Sequence, residues 1–231
     1  MDGTYRDLAR RVVALHRQKH DTAHSAPARV LIALSGPPGS GKTTIATEVI
    51  RALNELSEPP IKAVAVSIDG FHLPLATLRA LPNATECLAR RGAPWTFDGE
   101  AAARLVRTLR SSYGVASAAV PTFDHAVKNP VADGLIIGLD VDVCILEGNY
   151  LLCDEEPWAD IAGNVDERWL VRVDEEIARQ RVAARHLRAT IEPTMEAALA
   201  RADYNDIPNG RYVMQHSLGR QDVLVESVEE G

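Results

Sequence analysis

The sequence predicts a three-layer α/β sandwich on a mainly parallel five-stranded sheet, from three observations. Five short apolar runs have the length of buried strands, stretches of helical period lie between them, and a glycine-rich turn joins the first run directly to a helix. Parallel strands need a crossover to carry the chain back, so the alternation itself argues for a parallel sheet. With 46% hydrophobic and 25% charged residues among 231, the chain has the make-up of a folded globular protein, which excludes disorder and collagen-like repeats.

The elements follow in order. Residues 4–19 carry Leu8, Val12 and Leu15 at helical spacing, with Thr4 and Asp7 placed like a capping box. A polar stretch, 20–28, links this helix to the apolar run Val30 to Leu34, the first strand. From Thr43 to Leu56 the spacing of Ile45, Val49, Ile50 and Leu53 is helical, and Glu58-Pro59-Pro60 stops the helix before a second strand, Ala63 to Ile68. Gly70 to Asp98 is rich in Pro, Gly and Arg and reads as a long irregular region with a short helix near Leu75 to Leu81, the kind of loop that carries function. Asp98 caps a helix running to about Ser112, with Leu105, Val106 and Leu109 on one face. Residues 120–130 read as a loop. Val141 to Leu146, Arg168 to Val173 and Asp222 to Val228 complete the strands, with helices over 175–188 and 194–203.

Composition narrows the function classes. Thirty-two Asp and Glu against 25 Lys and Arg leave a net charge of -7, so the surface repels polyanions and nucleic acid is not an expected partner. No apolar run approaches the ~18 residues of a membrane span, and the start MDGTYRDLARR lacks the apolar core of a signal peptide, so no membrane partner is expected and the compartment expected is the cytoplasm. Cys87, Cys144 and Cys153 show no C-x-x-C spacing and read as plain thiols rather than a zinc or disulfide framework. Only four of the basic residues are lysines: Lys19, Lys42, Lys62 and Lys128.

One of these four sits in Gly36-Pro37-Pro38-Gly39-Ser40-Gly41-Lys42-Thr43, which fits G-x-x-x-x-G-K-[ST] between a buried strand and a helix, the context of the P-loop NTPases. Glycines let backbone N–H groups converge on phosphate oxygens, and the dipole of the following helix favours negative charge there. Lys42 is expected against the β- and γ-phosphates, and the Thr43 hydroxyl on Mg²⁺. Thr44 is either a further donor to the α-phosphate or an ordinary first-turn residue.

Ligands of such sheets bind beyond the carboxyl ends of the strands, where two acids stand. Asp69 ends the second strand, expected beside the P-loop strand in the sheet, and Glu147 the third, each followed by a glycine read here as keeping the turn open to a ligand. A carboxylate there accepts a proton from a substrate hydroxyl or holds Mg²⁺; the alternative for either is a helix cap or a solvated turn acid.

The segments Gly36 to Thr43, Asp69-Gly70-Phe71-His72, Arg91-Gly92-Ala93-Pro94-Trp95-Thr96-Phe97-Asp98, Pro121-Thr122-Phe123-Asp124-His125 and Glu147-Gly148-Asn149-Tyr150-Leu151-Leu152 occur in that order. Together they resemble the phosphoribulokinase, uridine kinase and pantothenate kinase group of P-loop kinases, over residues 30 to about 212. The resemblance implies an ATP- and Mg²⁺-dependent transfer of the γ-phosphoryl group to a hydroxyl of a small metabolite: a sugar, a nucleoside or a pantothenate-like alcohol. It implies that Asp69 is the catalytic base and that Glu147 stands near Mg²⁺ and the acceptor. An arginine-bearing helical lid is implied at about 175–203, where Arg181, Arg185 and Arg188 share one helix face; Arg185 is the expected phosphoryl-stabilising residue, a solvated face paired with Glu175 and Glu176 the alternative. Phe71, His72, Arg91, His125 and Tyr150 are candidates for the acceptor pocket. Asn205 to Gly210 resembles a segment near the adenine, with Asn209 as a base-reading amide, or is a polar turn before the last strand. Arg90-Arg91-Gly92 lacks the lysine that pantothenate kinases of the group place there. The whole chain, 1–231, is expected to form one kinase domain. A nucleotide-gated regulator, or an ATPase without a metabolite acceptor, is the alternative reading.

Overall fold

The structure is a computed structural model and describes residues 1–21, 28–58 and 60–228. The polar stretch 22–27 and Pro59 of the helix-stopping pair lie outside the described residues. In chain order the elements are α1 (Asp2–Asp21), β1 (Val30–Ser35), α2 (Lys42–Leu56), β2 (Ala63–Ser67), α3 (Leu75–Ala80), α4 (Ala84–Ala89), α5 (Gly99–Ser111), β3 (Ala118–Asp124), β4 (Asn129–Ile137), β5 (Val143–Gly148), α6 (Trp158–Gly163), β6 (Glu167–Val173), α7 (Glu175–Arg188), α8 (Met195–Arg201), α9 (Ile207–Ser217) and β7 (Val223–Ser227). Short 3₁₀ turns cover Ile68–Phe71 and Pro94–Thr96, and a π-turn covers Ala202–Asp206.

Five parallel strands form the sheet, in the order β2-β5-β1-β6-β7. Alternate residues of each strand face opposite layers. Val30, Ile32 and Leu34 pack with Ile45, Val49 and Leu53 of α2 and Leu8 and Val12 of α1. Leu31 and Ala33 face the other way, against Val106 and Leu109 of α5, Leu152 and Val213 of α9. Both faces are covered, which is why the strands read as unbroken apolar runs rather than alternating ones. The buried Arg29 closes the N-terminal end of β1, its guanidinium donating to the carbonyls of Leu109 (2.8 Å), Val141 (2.8 Å) and Gly138 (2.8 Å).

Several expectations need correction. The strand of Asp69 is not beside the P-loop strand: β5 lies between them, so Glu147 is on the neighbouring strand and Asp69 one strand further out. Asp69 itself falls just past β2, in the 3₁₀ turn. Residues 120–130 are no loop but most of an antiparallel hairpin, β3-β4, with a register shift between Val120 and Thr122 at Pro121. Proline is confined to bulges or edges in sheets, and β4 is mostly exposed, so neither strand carries a buried-strand pattern. The stretch Asn205 to Gly210 is helical rather than a polar turn: it ends the π-helical segment and opens α9, with Pro208 in the first helical turn where its missing N–H costs nothing. Thr4 lies inside α1, which begins at Asp2, and Asp7 pairs with Arg10 (2.7 Å) instead of capping. Asp98 does cap α5, accepting from Ala101 N (2.8 Å).

The glycine after Asp69 serves packing rather than an open turn. A Cβ on Gly70 would lie 1.9 Å from Pro121 O, so only glycine lets β3 cross the turn that carries Asp69. Because that contact is with backbone, Gly70→Ala is expected to displace the hairpin and to lower stability by about 3 kcal/mol, measured by urea unfolding.

Candidate functional site

The elements converge on a cleft of about 660 Å³ at the carboxyl ends of the strands. Its floor is the turn between β1 and α2. Gly39 and Gly41 hold φ of +79° and +86°, a conformation open to glycine, and Gly41 caps α2 without any side-chain hydrogen bond. The first N–H groups of a 15-residue helix are thereby left to face the cleft, an anion site by geometry and dipole. Ser40 Oγ is buried with no hydrogen-bond partner among the described residues, and a phosphate oxygen would satisfy it. Pro38, Thr43 and Thr44 line the cleft; Gly36 and Pro37 do not, Pro37 instead backing onto α9, where a Cβ on Gly210 would come within 3.2 Å of it.

Lys42 is buried, its Nζ donating to the carbonyls of Gly36 (2.8 Å) and Pro37 (2.9 Å). Burial pushes its amine down to about 8, partly opposed by Glu147 and Asp69. The sign of the consequence is definite. The folded value lies below the ordinary 10.5, so the free protein gains stability as pH rises through about 8, while phosphate binding needs the charged amine. Nucleotide affinity is therefore expected to fall above pH ~8, by up to about tenfold per unit, with proton uptake on binding; titration calorimetry in two buffers of different ionisation enthalpy reads both.

Glu147 is the inner carboxylate, only 7% exposed. Burial raises its pKa, opposed by Lys42 and by the nearby hydroxyls of Ser67 and Thr43. A buried carboxylate beside the P-loop threonine and a second acid is a donor set that suits a hard divalent cation, which would restore its charge. Thr43, Glu147 and, through space, Asp69 are the residues that could hold Mg²⁺.

Asp69 is half-buried on the outer wall, facing the same cleft. Its backbone carbonyl accepts from His72 N (3.1 Å) and contacts His72 Nδ1 (2.8 Å). The His72 ring packs on Phe97 and Phe123, with centroids 4.0 and 4.9 Å away, and burial lowers its pKa. Arg91 completes this wall. It donates to Leu73 O (2.9 Å) and Lys128 O, lies 5.4 Å from the Phe123 ring, and keeps a buried Nε with no partner among the described residues.

Three expected pocket residues sit elsewhere. Tyr150 is 2% exposed, its hydroxyl donating to Gly92 O (2.5 Å), so it supports the wall from behind. Phe71 belongs to the core between sheet and α5. His125 is exposed at the hairpin turn, its ring 5.2 Å from Phe123, outside the cleft lining.

The helix pair α7-α8 stands over the P-loop. Arg181, Arg185 and Arg188 all line the cleft, and Glu175 and Glu176 pair instead with Arg211 (2.7 Å) and Arg179 (3.3 Å). Arg181 is structural, tying Gly39 O (3.4 Å) to Ser227 Oγ (2.9 Å). Arg185 is more than half exposed, 3.9 Å from Asp206. Asn209 is buried in the lining, with Nδ2 donating to Asn205 Oδ1 (3.3 Å). Sequence reasoning missed Ser67 and His186, and it took Asn205 and Asp206 only as part of a segment near the adenine or a polar turn. Asn205 Nδ2 donates to Arg91 O (2.9 Å), joining the π-turn to the outer wall. His186 and Asp206 line the cleft, His186 Nε2 lying 3.6 Å from Asp206 Oδ2, and His186 Nδ1 and Asp206 Oδ2 are buried with no hydrogen-bond partner among the described residues; burial pushes the imidazole down to about 4 and the carboxyl up. The sequence signal for Asp206 is its place in the Asn205 to Gly210 segment.

No protein-family model matches the chain. Over 159 residues it is 43% identical to a protein of Aspergillus versicolor named ATP-dependent kinase-like protein notR', spanning 68% of this chain and 92% of that one. Over 221 residues it is 36% identical to a protein of Schizosaccharomyces pombe named "Putative uridine kinase", spanning 96% and 90%. Among solved structures it is similar to the "putative fructose transport system kinase" of Silicibacter sp. TM1040, with a TM-score of 0.81, 32% identity and 95% and 98% of the two chains covered. No helix among the described residues is long and apolar enough to cross a membrane.

Proposed function

We propose that this chain, which belongs to the P-loop kinases of the uridine kinase and phosphoribulokinase type, transfers the γ-phosphoryl group of ATP to a hydroxyl of a small metabolite, with a sugar or nucleoside alcohol favoured over a pantothenate-like one. The observation that carries this reading is the division of labour between two carboxylates in one cleft. Glu147 is engaged by Thr43, Ser67 and Lys42 at the phosphate end, whereas Asp69 stands on the outer wall beside His72 and Arg91. A nucleotide switch or a simple ATPase needs only the first. The second serves an acceptor, and the names of the relatives, a uridine kinase and a fructose transport system kinase, favour a polyhydroxylated one.

In this reading Asp69 takes the proton of the acceptor hydroxyl as its oxygen bonds to the γ-phosphorus, and the bond from phosphorus to the bridging oxygen breaks to release ADP. Lys42 leaves the Gly36 and Pro37 carbonyls for the phosphate oxygens. Mg²⁺ held at Thr43 and Glu147 would neutralise charge on the β- and γ-phosphates. Arg185 closes over the transferring group as α7-α8 moves, excluding water. The substrate is a small molecule of the cytoplasm, with neither nucleic acid nor membrane as partner, in keeping with a net charge of -7.

Incubating the protein with Mg-ATP and a panel of sugars, nucleosides and pantothenate-like alcohols is expected to add the mass of one phosphoryl group to one class of acceptor. No phosphorylated product across the panel, with ATP still bound, favours the switch. Arg185→Ala is expected to lower turnover about ten- to a hundredfold while leaving ATP affinity within a few-fold, because its guanidinium acts on charge that develops in the transition state. Equal losses in both would make it a ground-state nucleotide contact.

A further inference from the structure

At the end of the sheet opposite the P-loop, α1 meets the entrance to β5. His16 and His20 stand four residues apart on α1, so both imidazoles share one helix face, with ring centroids 4.1 Å apart. Asp142 lies one residue before β5, its backbone carbonyl accepting from Val30 N (2.8 Å) at the start of β1. One ligating atom from each of the three lies within 4.8 Å of the others.

Two features distinguish this cluster from a chance grouping. His20 Nε2 is buried with no hydrogen-bond partner among the described residues, an unfavourable state unless something satisfies it. The Asp142 carboxylate is also fixed from outside, Oδ1 accepting from the Tyr113 hydroxyl (2.8 Å) and Oδ2 from Lys62 N (2.9 Å). Partners of this kind orient a ligating carboxylate and raise metal affinity.

We propose that His16, His20 and Asp142 form a transition-metal site, for Zn²⁺ by its donor set, separate from the phosphate cleft and serving to pin α1 to the sheet. Two imidazole nitrogens and one carboxylate oxygen are a borderline set that suits Zn²⁺ and leaves a fourth position for water, whereas Mg²⁺ and Ca²⁺ prefer oxygen alone. Tetrahedral Zn²⁺ with bonds near 2.0–2.1 Å places its ligand atoms about 3.4 Å apart, so His16 Nε2 and Asp142 Oδ1, 3.9 Å apart, need only a small inward movement.

The test uses the untagged full chain, freed of metal by chelator, with Zn²⁺ titrated against a chromophoric competitor and Co²⁺ as a spectroscopic stand-in. One equivalent of Zn²⁺ is expected to bind, Co²⁺ to give the intense visible bands of a tetrahedral site, and the thermal midpoint to rise with Zn²⁺. His20→Ala and Asp142→Asn are each expected to weaken binding at least about tenfold, with ATP binding and His216→Gln unchanged. Asp142→Asn binding Zn²⁺ within twofold of wild type reduces the site to a helix histidine pair and overturns the proposal. So does a weak, octahedral Co²⁺ spectrum, which decides the matter without Asp142→Asn should that variant fail to fold.

Discussion

Lys42→Ala is expected to lower phosphoryl transfer by about 10²–10³-fold or more while leaving the protein folded. The lysine is buried in a cleft whose surroundings push its amine down to about 8, so at pH 7 its charge is held against a desolvation penalty and contributes no net stability through ionisation. Among the described residues its amine donates to the Gly36 and Pro37 carbonyls in the free state. The interaction that uses the charge is the one with phosphate oxygens, strongest where negative charge shifts toward the β–γ bridge. A thermal midpoint at or above wild type beside a collapsed turnover is the expected pair of results, from a melting scan and a product assay. Wild-type turnover in the variant would remove Lys42, and with it the P-loop assignment.

Asp69→Asn is expected to cost about 10² or more in transfer, the usual range for a lost general base, with Mg-ATP binding within a few-fold of wild type. Asparagine keeps the size and the local hydrogen bonding of the turn but accepts no proton. The turn itself is held by backbone contacts, His72 N to Asp69 O (3.1 Å) and the close crossing of Gly70 by Pro121, so the substitution does not disturb it. Calorimetry for Mg-ATP and a product assay on one preparation separate the outcomes. A near-wild-type transfer rate makes Asp69 structural; a parallel loss of ATP binding makes it an organiser of the metal.

What the sequence could disclose tracks how local each signal is. The sheet strands were legible because Leu31, Ile32 and Ala33 are buried on both faces, and a doubly covered strand has no polar alternation to confuse it. The P-loop was legible because strand, glycines, lysine and helix are contiguous. The hairpin escaped because Pro121 breaks the ladder and β4 is exposed, while its packing is against a distant segment, the turn at Gly70. The start of α9 escaped because Asn-Asp-Ile-Pro-Asn-Gly is turn chemistry locally, overridden by the packing of Gly210 on Pro37. Strand order is wholly non-local, and it decided which acid neighbours the P-loop. Tyr150 was misplaced for a similar reason: its motif lies at a strand end, yet its side chain turns inward to Gly92.

The account rests on transfer to a carbon-bound hydroxyl, so the destination of the γ-phosphoryl group is the measurement that matters most. ATP labelled at the γ-position, incubated with the protein, Mg²⁺ and the acceptor class found in the panel, is expected to deliver label to an organic phosphate ester in step with ADP formation, and Asp69→Asn to abolish that ester while still binding ATP. Label appearing only as inorganic phosphate, at a rate indifferent to the acceptor, would contradict the account.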